Sequence, residues 1–389
     1  MTGGNDRGVA DGIRSADGFE YAPERRDHAV SVVSAALAER DAAAFVHVGT
    51  DRDPGIRYLR PAPATGRTAI AYLGAEDEWV VQSAADESRG DPAERLASTL
   101  ADRGLEGPVL TPPRVPHDAA LYLEHAGFEL ASTDALERAR TTKTAGERAE
   151  IAAAQRAASA GIRRAASVLA DATVVDGRLA VAENDGDRSD PEPLTAARLR
   201  TAIDDAIVGA GALPAGNTAV DPGSSDGTDP SPLRPGEPIV LEAAPRGPAG
   251  YHGGLVRTLV VDSDGGRERR VHVAVTQSFR SARSMLTAGT ESVTAVEADL
   301  EAEVRSFGFA EGDAIETDVA GVGLEPRERP AEGGDDVGPE TVVRIDVAGQ
   351  VGADTRIRIA DVLAVTDEGE RPDWLAAPSQ SLEPSALLE

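Results

Sequence analysis

The stretch that decides the fold lies near the end of the chain, in residues 342–366, VVRIDVAGQVGADTRIRIADVLAVT. It is predicted to form paired strands, and a strand places alternate side chains on one face. Two paired strands can therefore aim carboxylates from neighbouring positions into a shared cleft. Asp346 supplies a carboxylate on the first of these strands, whereas Ala360 supplies no polar atom on the second.

Two earlier segments have the same character. Residues 236–261 read GEPIVLEAAPRGPAGYHGGLVRTLVV and contain an acidic strand end at Glu242, followed by a second strand that begins near Gly254. Residues 319–330 read VAGVGLEPRERP and contain a Gly-x-Gly-Leu turn. Strands that return at such intervals, with helical stretches between them, indicate a mixed sheet-and-helix domain.

A long amphipathic helix is predicted over residues 145–170, because its apolar residues fall on one stripe at helical spacing. The preceding element has the form Lys-Thr-x-x-Glu and starts at Lys143. Thr144 is placed to cap the helix, and Glu147 stands three residues later, as in a capping box.

The order, spacing and flanking residues of these segments resemble the M24 peptidase family of Xaa-Pro aminopeptidases and dipeptidases. The resemblance implies a pita-bread fold, in which a curved sheet built from two similar halves carries helices on its convex side. The expected fold class is α/β (α+β), with a small N-terminal α/β domain of the creatinase type followed by the pita-bread domain.

Members of this family hold two divalent metals, such as manganese or cobalt, with five side chains in the order Asp, Asp, His, Glu, Glu. The positions that match these ligands in this chain are Glu242, Gly254, Ala320, Asp346 and Ala360. Two of the five keep a carboxylate and three have no donor. A two-metal hydrolase needs several oxygen or imidazole ligands to hold both ions. We therefore expect no metal ligands, no bound cofactor and no catalytic residue.

The family also contains metal-free creatinases, which use a histidine before the first metal strand as a proton shuttle. The corresponding residues 217–237, NTAVDPGSSDGTDPSPLRPGE, contain no histidine. None of the histidines of the chain falls on a catalytic position of the family; they are His28, His47, His117, His125, His252 and His272. The chain thus lacks the side chains on which both chemistries of the fold depend, the metal ligands in one case and the histidine in the other.

Five residues are candidates to line the remaining cleft. Alternation predicts that His252 faces the same side as Gly254, from which it could replace a lost ligand. Arg327 stands where the family has a second, substrate-facing histidine, and it could fill the cleft. Glu328 keeps the glutamate of the family pattern. The retained carboxylates Glu242 and Asp346 complete the set, whereas Arg257 and Arg358 are expected to tie strands together.

The composition limits the partners. The chain of 389 residues has 67 acidic and 39 basic residues, a formal net charge of −28, no cysteine and, in Lys143, a single lysine. The absence of cysteine excludes disulfides and thiolate metal sites, and the missing basic face argues against nucleic-acid binding. Because the acidity is spread along the chain, we interpret it as adaptation to high salt rather than as a binding surface.

The predicted organisation has four parts. Residues 1–25 are polar and glycine-rich and are expected to be disordered. Residues 26–136 form the N-terminal domain, in which strands and helices are expected to alternate, with one of the strands at residues 56–59. Residues 137–370 form the M24 domain, with an acidic, solvated loop insertion at 171–193. Residues 371–389 form a loosely held tail. Neither a secretory signal nor a membrane span is recognisable, so the expected location is the cytoplasm.

Three functions remain open. The leading hypothesis is a pseudoenzyme that binds a peptide or a protein partner in a retained cleft. The second is an active metal-dependent Xaa-Pro peptidase with a rearranged site built from Glu242, Asp346, His252 and Glu328. The third is a structural subunit, since proteins of this family often pair, either as a homodimer or as a heterodimer with an active paralogue.

Overall fold

The computed structural model describes residues 22–60, 66–85, 90–181, 191–221, 232–310, 314–352 and 355–389. The chain divides into two compact units, Met1–Ala139 and Arg140–Glu389. The elements of the first unit are α1 (Ala22–Glu39), β1 (Ala44–Thr50), α2 (Pro54–Leu59), β2 (Arg67–Leu73), β3 (Glu78–Ser83), α3 (Pro92–Asp102), β4 (Val109–Thr111), α4 (His117–His125), β5 (Leu130–Ser132) and α5 (Ala135–Thr141), whose last two residues begin the second unit.

The first unit is a small α/β domain. Its five strands are ordered β3-β2-β1-β4-β5, with antiparallel pairing from β3 to β1 and parallel pairing from β1 to β5. The apolar faces of α3 and α4 pack on this sheet, and Leu96, Leu100 and Leu123 are buried there. This is the strand and helix alternation that the sequence predicts for the N-terminal domain.

Residues 56–59 were expected to form a strand, and this prediction is wrong. They belong to α2, because Asp53 caps the helix by accepting a hydrogen bond from the N–H of Ile56 at 2.9 Å. Pro54 occupies the first turn, where its missing N–H costs nothing. A four-residue apolar run has no periodicity of its own, so the Asp-Pro start signal decides the conformation.

The expectation of a disordered segment over residues 1–25 is wrong for residues 22–25, which lie in the first helix. Residues 1–21 lie outside the described residues, whereas α1 begins at Ala22 and therefore includes the end of that range. Arg25 is buried, and its guanidinium lies 5.5 Å from the centre of the Tyr58 ring.

The second unit contains the larger sheet. Its elements are α6 (Ala145–Ala170), β6 (Thr173–Val175), β7 (Arg178–Val181), β8 (Glu192–Pro193), α7 (Ala196–Gly209), β9 (Thr218–Asp221), β10 (Ile239–Ala243), β11 (Leu255–Leu259), α8 (Arg267–Ala288), β12 (Glu291–Ser292), α9 (Val293–Ser306), β13 (Ile315–Gly321), β14 (Asp336–Val337), β15 (Val342–Gln350), β16 (Arg356–Ala364) and β17 (Asp373–Trp374), followed by a 3₁₀ turn (Pro384–Leu387).

Six strands of this sheet follow the order β13-β15-β16-β11-β10-β9, and β17 adds to β16. One face of the sheet is covered by two helix pairs. The apolar residues of α6 and α7 pack on β10 and β11, and those of α8 and α9 pack on β13, β15 and β16. Each half therefore buries one side of its strands, which leaves the alternate side chains on the opposite face.

Helix α6 confirms the prediction over residues 145–170. Thr144 accepts a hydrogen bond from the N–H of Glu147 at 3.3 Å, and the Glu147 carboxylate accepts one from the N–H of Thr144 at 3.0 Å. Helix α6 is the longest described, with 26 residues. Among the described residues, however, no helix combines the length and the apolar character that crossing a membrane requires.

The predicted solvated loop at 171–193 is partly a sheet. Strands β6, β7 and β8 pair in antiparallel fashion, and Leu179 is completely buried in the core beneath α6 and α7. The remaining residues 182–190 lie outside the described residues. Strand β7 forms because the side chain of Leu179 packs into the core. The acidic residues around this short segment conceal its strand character in the sequence.

The tail at 371–389 was expected to be loosely held, and this expectation is also wrong. Leu387 is completely buried against α6, and its carbonyl oxygen accepts a hydrogen bond from Arg163 at 2.7 Å. The buried guanidinium of Arg257 donates to the carbonyl oxygens of Pro378 and Ser379 at 2.9 and 3.0 Å. The tail is thus part of the second unit.

Candidate functional site

The sheet face opposite the helices carries the positions that sequence analysis singled out, and we call it the site face. Pairing places Asp346 beside Ala360, Ala360 beside Val256, and Val256 beside Glu242. Because paired residues share a face, these four side chains form one row across β15, β16, β11 and β10. The two retained carboxylates thus lie on the same face, as the sequence predicts.

Two arginines lie between these carboxylates. Arg344 Nη2 donates to Glu242 Oε1 at 2.9 Å and to Asp346 Oδ2 at 2.5 Å. Arg358 donates through Nη1 to Glu242 Oε2 at 2.8 Å, and through Nε and Nη2 to the two oxygens of Asp346 at 2.9 and 2.6 Å. We call Glu242, Arg344, Asp346 and Arg358 the site cluster. It contains two negative and two positive charges in direct contact.

The electrostatics of the site cluster favour the charged forms of Glu242 and Arg358. Burial raises the pKa of Glu242, but the guanidinium groups of Arg344 and Arg358 lower it by more, so that the pKa lies below its ordinary value of 4.5. Burial lowers the pKa of Arg358, and the carboxylates of Asp346 and Glu242 raise it above its ordinary value. Each of the four carboxylate oxygens of Glu242 and Asp346 accepts a hydrogen bond from a guanidinium group.

The three positions without a donor border this cluster. A Cβ atom built on Gly254 would lie 3.0 Å from Cδ of Arg344. Ala320 pairs directly with Arg344 across β13 and β15 and is buried. Ala360 packs with Val240 and Val256 in a small apolar cluster on the site face. Gly254 and Ala320, two of the positions that the resemblance matches to ligands, thus flank Arg344, and the third, Ala360, lies in apolar surroundings.

Two other cleft candidates, His252 and Arg327, have contacts of their own. His252 is buried, and its ring Nδ1 lies 3.5 Å from the carbonyl oxygen of Ala244. The backbone N–H of His252 donates to the carbonyl oxygen of Gly323 at 2.8 Å. Arg327 does not fill the space between Glu242 and Asp346. It is about half exposed and donates to Asp318 at 3.0 Å and to the carbonyl oxygen of Ala331 at 3.1 Å.

Glu328 belongs to a separate buried group, which we call the turn cluster and which consists of Arg140, Lys143, Glu325 and Glu328. Lys143 Nζ donates to Glu328 Oε1 at 2.7 Å and also to the carbonyl oxygen of Arg140. Arg140 Nη2 donates to Glu328 and, at 2.7 Å, to Glu325. Burial raises the pKa of Glu328, but Lys143 and Arg140 lower it by more. This glutamate holds the turn and does not face the carboxylates of the site cluster.

Sequence reasoning missed Arg344 and took Arg358 for a strand tie. Arg358 does contact both carboxylates, and its backbone N–H and carbonyl also bond Thr258 Oγ1, so it ties strands as well. The signal for Arg344 was its position two residues before Asp346, which puts both on one face. The role of Arg344 follows only from the register that sets Gly254 and Ala320 beside it.

The residues of the site face do not fit the metal pair that the resemblance implies. Of the five ligand positions, only Glu242 and Asp346 carry donors, and both already bind guanidinium groups. In the part of the chain that the structure describes, no group of three or more histidine, cysteine, aspartate or glutamate side chains is arranged to hold a metal ion. The creatinase histidine position falls within residues 217–237, of which 222–231 lie outside the described residues.

Comparisons with known proteins agree with the fold. The sequence model of metallopeptidase family M24 matches residues 149–367. The Xaa-Pro dipeptidase from Bacillus anthracis superposes with a TM-score of 0.75 at 15% identity, over 93% of this chain and 99% of that one. Dipeptidase PepE from Mycobacterium ulcerans gives 0.70 at 20% identity, over 94% and 98% of the two chains.

A third solved structure has the same architecture. The X-Pro aminopeptidase from Thermotoga maritima MSB8 superposes with a TM-score of 0.72 at 15% identity, over 90% of this chain and 98% of that one. At these identities the likeness establishes the fold alone. Among curated proteins, no relative matches the sequence.

Proposed function

The chain belongs to metallopeptidase family M24, and we propose that it is a catalytically inactive member that binds a peptide or a protein partner without hydrolysing it. One observation carries the proposal. The two carboxylates left at the ligand positions of the family, Glu242 and Asp346, are bound by Arg344 and Arg358 at 2.5 to 2.9 Å.

Hydrolysis by a metal pair requires two ions about 3.5–4 Å apart, which generate the nucleophile and hold the charge that develops on the substrate. Divalent cations that prefer oxygen ligands take about six donors, supplied by carboxylates, carbonyls and waters. Gly254, Ala320 and Ala360 offer no side-chain donor to such an ion. The guanidinium groups of the site cluster also repel a cation from the remaining carboxylates.

The retained scaffold supports a binding role. The M24 match runs from near the start of α6 to just past β16, and the seven-stranded sheet has a face that is not covered by α6 to α9. The three solved structures that share this fold are those of an Xaa-Pro dipeptidase, an X-Pro aminopeptidase and a dipeptidase. A peptide is therefore the first ligand to test on the site face.

The rearranged peptidase is the competing candidate, and its residues argue against it. It requires Glu242, Asp346, His252 and Glu328 to act together. Two of these carboxylates bind the arginines of the site cluster, whereas Glu328 is held by Lys143 and Arg140 in the turn cluster. No geometry in the described residues brings Glu328 to the site cluster as a third donor.

Elemental mass spectrometry of the purified protein, offered excess Mn²⁺, tests the loss of the metals. We propose that the acidic surface is an adaptation to salt, so the protein is purified both in molar KCl and at low salt. The expected content is far below one ion per chain. The X-Pro aminopeptidase from Thermotoga maritima, loaded in parallel, is the positive control. One or two tightly held ions per chain would contradict the proposal.

Activity and binding are then measured on the same sample. The dipeptide Ala-Pro is expected to remain intact during long incubation with Mn²⁺, and to raise the melting temperature if the site face binds peptides. Turnover that is lost in Glu242→Ala would support the rearranged peptidase instead. Light scattering tests the proposed pairing, and co-purification with a second M24 chain that has all five ligands would favour the structural-subunit role.

A further inference from the structure

Arg344 has the geometry of a bridging cation. A single nitrogen, Nη2, lies 2.9 Å from Glu242 Oε1 and 2.5 Å from Asp346 Oδ2. These oxygens come from two strands that are not neighbours in the sheet, since β16 and β11 lie between β15 and β10. Charge-assisted hydrogen bonds of this length are strong because both partners are ionised. One positive group thus joins the two carboxylates across the site face.

The space for Arg344 depends on the residues that surround it. A Cβ at position 254 would lie 3.0 Å from Cδ of Arg344, and its next two contacts would also be atoms of that side chain. Ala320 pairs with Arg344 on the other side, from β13. An aspartate at 254 or a histidine at 320 would therefore compete with Arg344 for the same volume. The loss of these donors and the presence of Arg344 are spatially linked.

The charges of the site cluster balance only when Arg344 is present. With Arg358 alone, two carboxylates would share one cation, and Glu242 Oε1 would lose its hydrogen-bond donor. The side chains of Glu242 and Asp346 are only 24% and 9% exposed, so water could not fully replace the missing charge. An unpaired carboxylate in such a position is costly and attracts a cation.

We propose that Arg344 is the resident cation of the site face: its guanidinium replaces the bridging charge of the metal pair, and Gly254 provides the space that admits it. The melting temperature of the wild-type protein is therefore independent of divalent cations, whereas removal of Arg344 allows the site face to bind them. This inference rests on the proposed loss of the metals, and it names Arg344 as the residue that takes their place.

The first test is thermal unfolding of the full chain in rising Mn²⁺ at constant ionic strength. Wild type is expected to show no shift in melting temperature. Arg344→Ala leaves two carboxylates and room for a hydrated ion, so its melting temperature should rise by about 3 °C at about 10 mM Mn²⁺. Arg344→Lys keeps a positive charge at the same place and should show no shift.

Arg327→Met is the matched control, because it removes one positive charge from the exposed pair with Asp318 and leaves the site cluster intact. It should show no response to Mn²⁺. If Arg344→Ala does not fold, Arg344→Gln removes the charge but keeps a hydrogen-bond donor, and the same rise is expected. A rise in Arg327→Met equal to that in the Arg344 variants, or no rise in the latter, would overturn the proposal.

The second test is a double-mutant cycle on unfolding. Gly254→Ala forces its Cβ against Arg344, so it should destabilise wild type but have little effect in the Arg344→Ala background. The combined change in the unfolding equilibrium constant should depart from the product of the single changes by about fivefold. Additive effects would show that position 254 and Arg344 do not share one space.

The two proposals fail in different ways. If the wild-type protein holds manganese and its melting temperature responds to Mn²⁺, the proposed loss of the metals fails, and the resident-cation role fails with it. If wild type neither holds nor senses Mn²⁺, but Arg344→Ala is also insensitive and the cycle is additive, the proposed function stands and the role of Arg344 is wrong.

Discussion

The turn cluster and the site cluster contain the same set of charges in different surroundings. Each has two acidic and two basic side chains in direct contact. In the turn cluster, Lys143 and Glu328 are 1% and 5% exposed, whereas in the site cluster Arg344 and Glu242 are 14% and 24% exposed. Lys143 and Glu328 are also residues that the M24 pattern retains, whereas Arg344 stands beside positions where the pattern is lost.

This difference separates two uses of an ion pair. In the turn cluster, the pairs fasten the start of the second unit to the turn that follows β13, so removal of one partner disturbs the scaffold. In the site cluster, the arginines neutralise two carboxylates at positions that the resemblance assigns to metal ligands. This contrast fits the proposal that the chain has kept the interactions that hold the fold and replaced those that would hold a metal.

The same substitution in both regions gives the largest contrast. In Gly321→Ala the new Cβ would lie 2.3 Å from the carbonyl oxygen of Arg329, which is backbone and cannot rotate away, so we expect a loss of about 3 kcal/mol in unfolding free energy. In Gly254→Ala the new Cβ meets the Arg344 side chain at 3.0 Å, and we expect about 1 kcal/mol. Denaturant unfolding at fixed salt measures both. Equal losses would remove the contrast between scaffold and site.

Lys143→Met tests whether the turn cluster stabilises the scaffold. The substitution leaves Arg140 as the one cation of the turn cluster that contacts the buried carboxylate of Glu328. Arg140 also donates a hydrogen bond to Glu325. Removal of one partner from a buried ion pair costs about 3 kcal/mol. The loss should shrink in acid, where Glu328 becomes neutral by protonation. A loss below about 1 kcal/mol, or one that is the same at pH 4 and pH 7, would contradict this role.

The sequence predicted the fold wherever the signal was local. Helix α6 was predicted from its apolar stripe and from a capping box that spans only four residues, Thr144 to Glu147. Its bounds were predicted correctly. The prediction of a strand at residues 56–59 was wrong because a short apolar run fits a strand or a helix equally well. The buried tail could not be predicted, because its stability comes from contacts with Arg163 and Arg257, which are distant in the chain.

The site follows the same rule. That Gly254, Ala320 and Ala360 offer no side-chain donor could be read position by position, because each needs only the match of one segment to one motif. Arg344 could not be recognised as a cation for both carboxylates, since its partners lie on β10 and β15 and its neighbours Gly254 and Ala320 on β11 and β13. Alternation assigns a face, but the register between distant strands decides which side chains meet.

Acid unfolding compares the two clusters through one titrating group each. The pKa of Glu242 and that of Glu328 both lie below the ordinary value of 4.5 in the folded protein. A lowered folded pKa gives stability that is present above the unfolded pKa and is lost as the pH falls through the folded pKa. Stability should therefore decline below about pH 4.5, and by at most about 1.4 kcal/mol per pH unit for each group.

Glu242→Gln and Glu328→Gln isolate these contributions, because each variant shares every other titrating group with wild type. Both should lose part of the acid slope, and Glu328→Gln should also lose more stability at pH 7, since its charge partners are more deeply buried. The measurement is unfolding free energy between pH 3 and pH 7 at constant salt. A wild-type slope that neither variant reduces would mean that the pKa values are not lowered by the ion pairs.

The smallest effect is expected at the edge of the site face, where Arg327 and Asp318 form an ion pair with both side chains 51% exposed. Exposed pairs of this kind contribute little, because water and salt screen them and because long side chains lose entropy when fixed. Arg327→Met should change the unfolding free energy by no more than about 0.5 kcal/mol at low salt, and by less in molar KCl. Asp318 lies directly opposite Asp346 on β13. A loss above about 1 kcal/mol would therefore mean that Arg327 also neutralises the site cluster, and that the resident cations extend beyond Arg344 and Arg358.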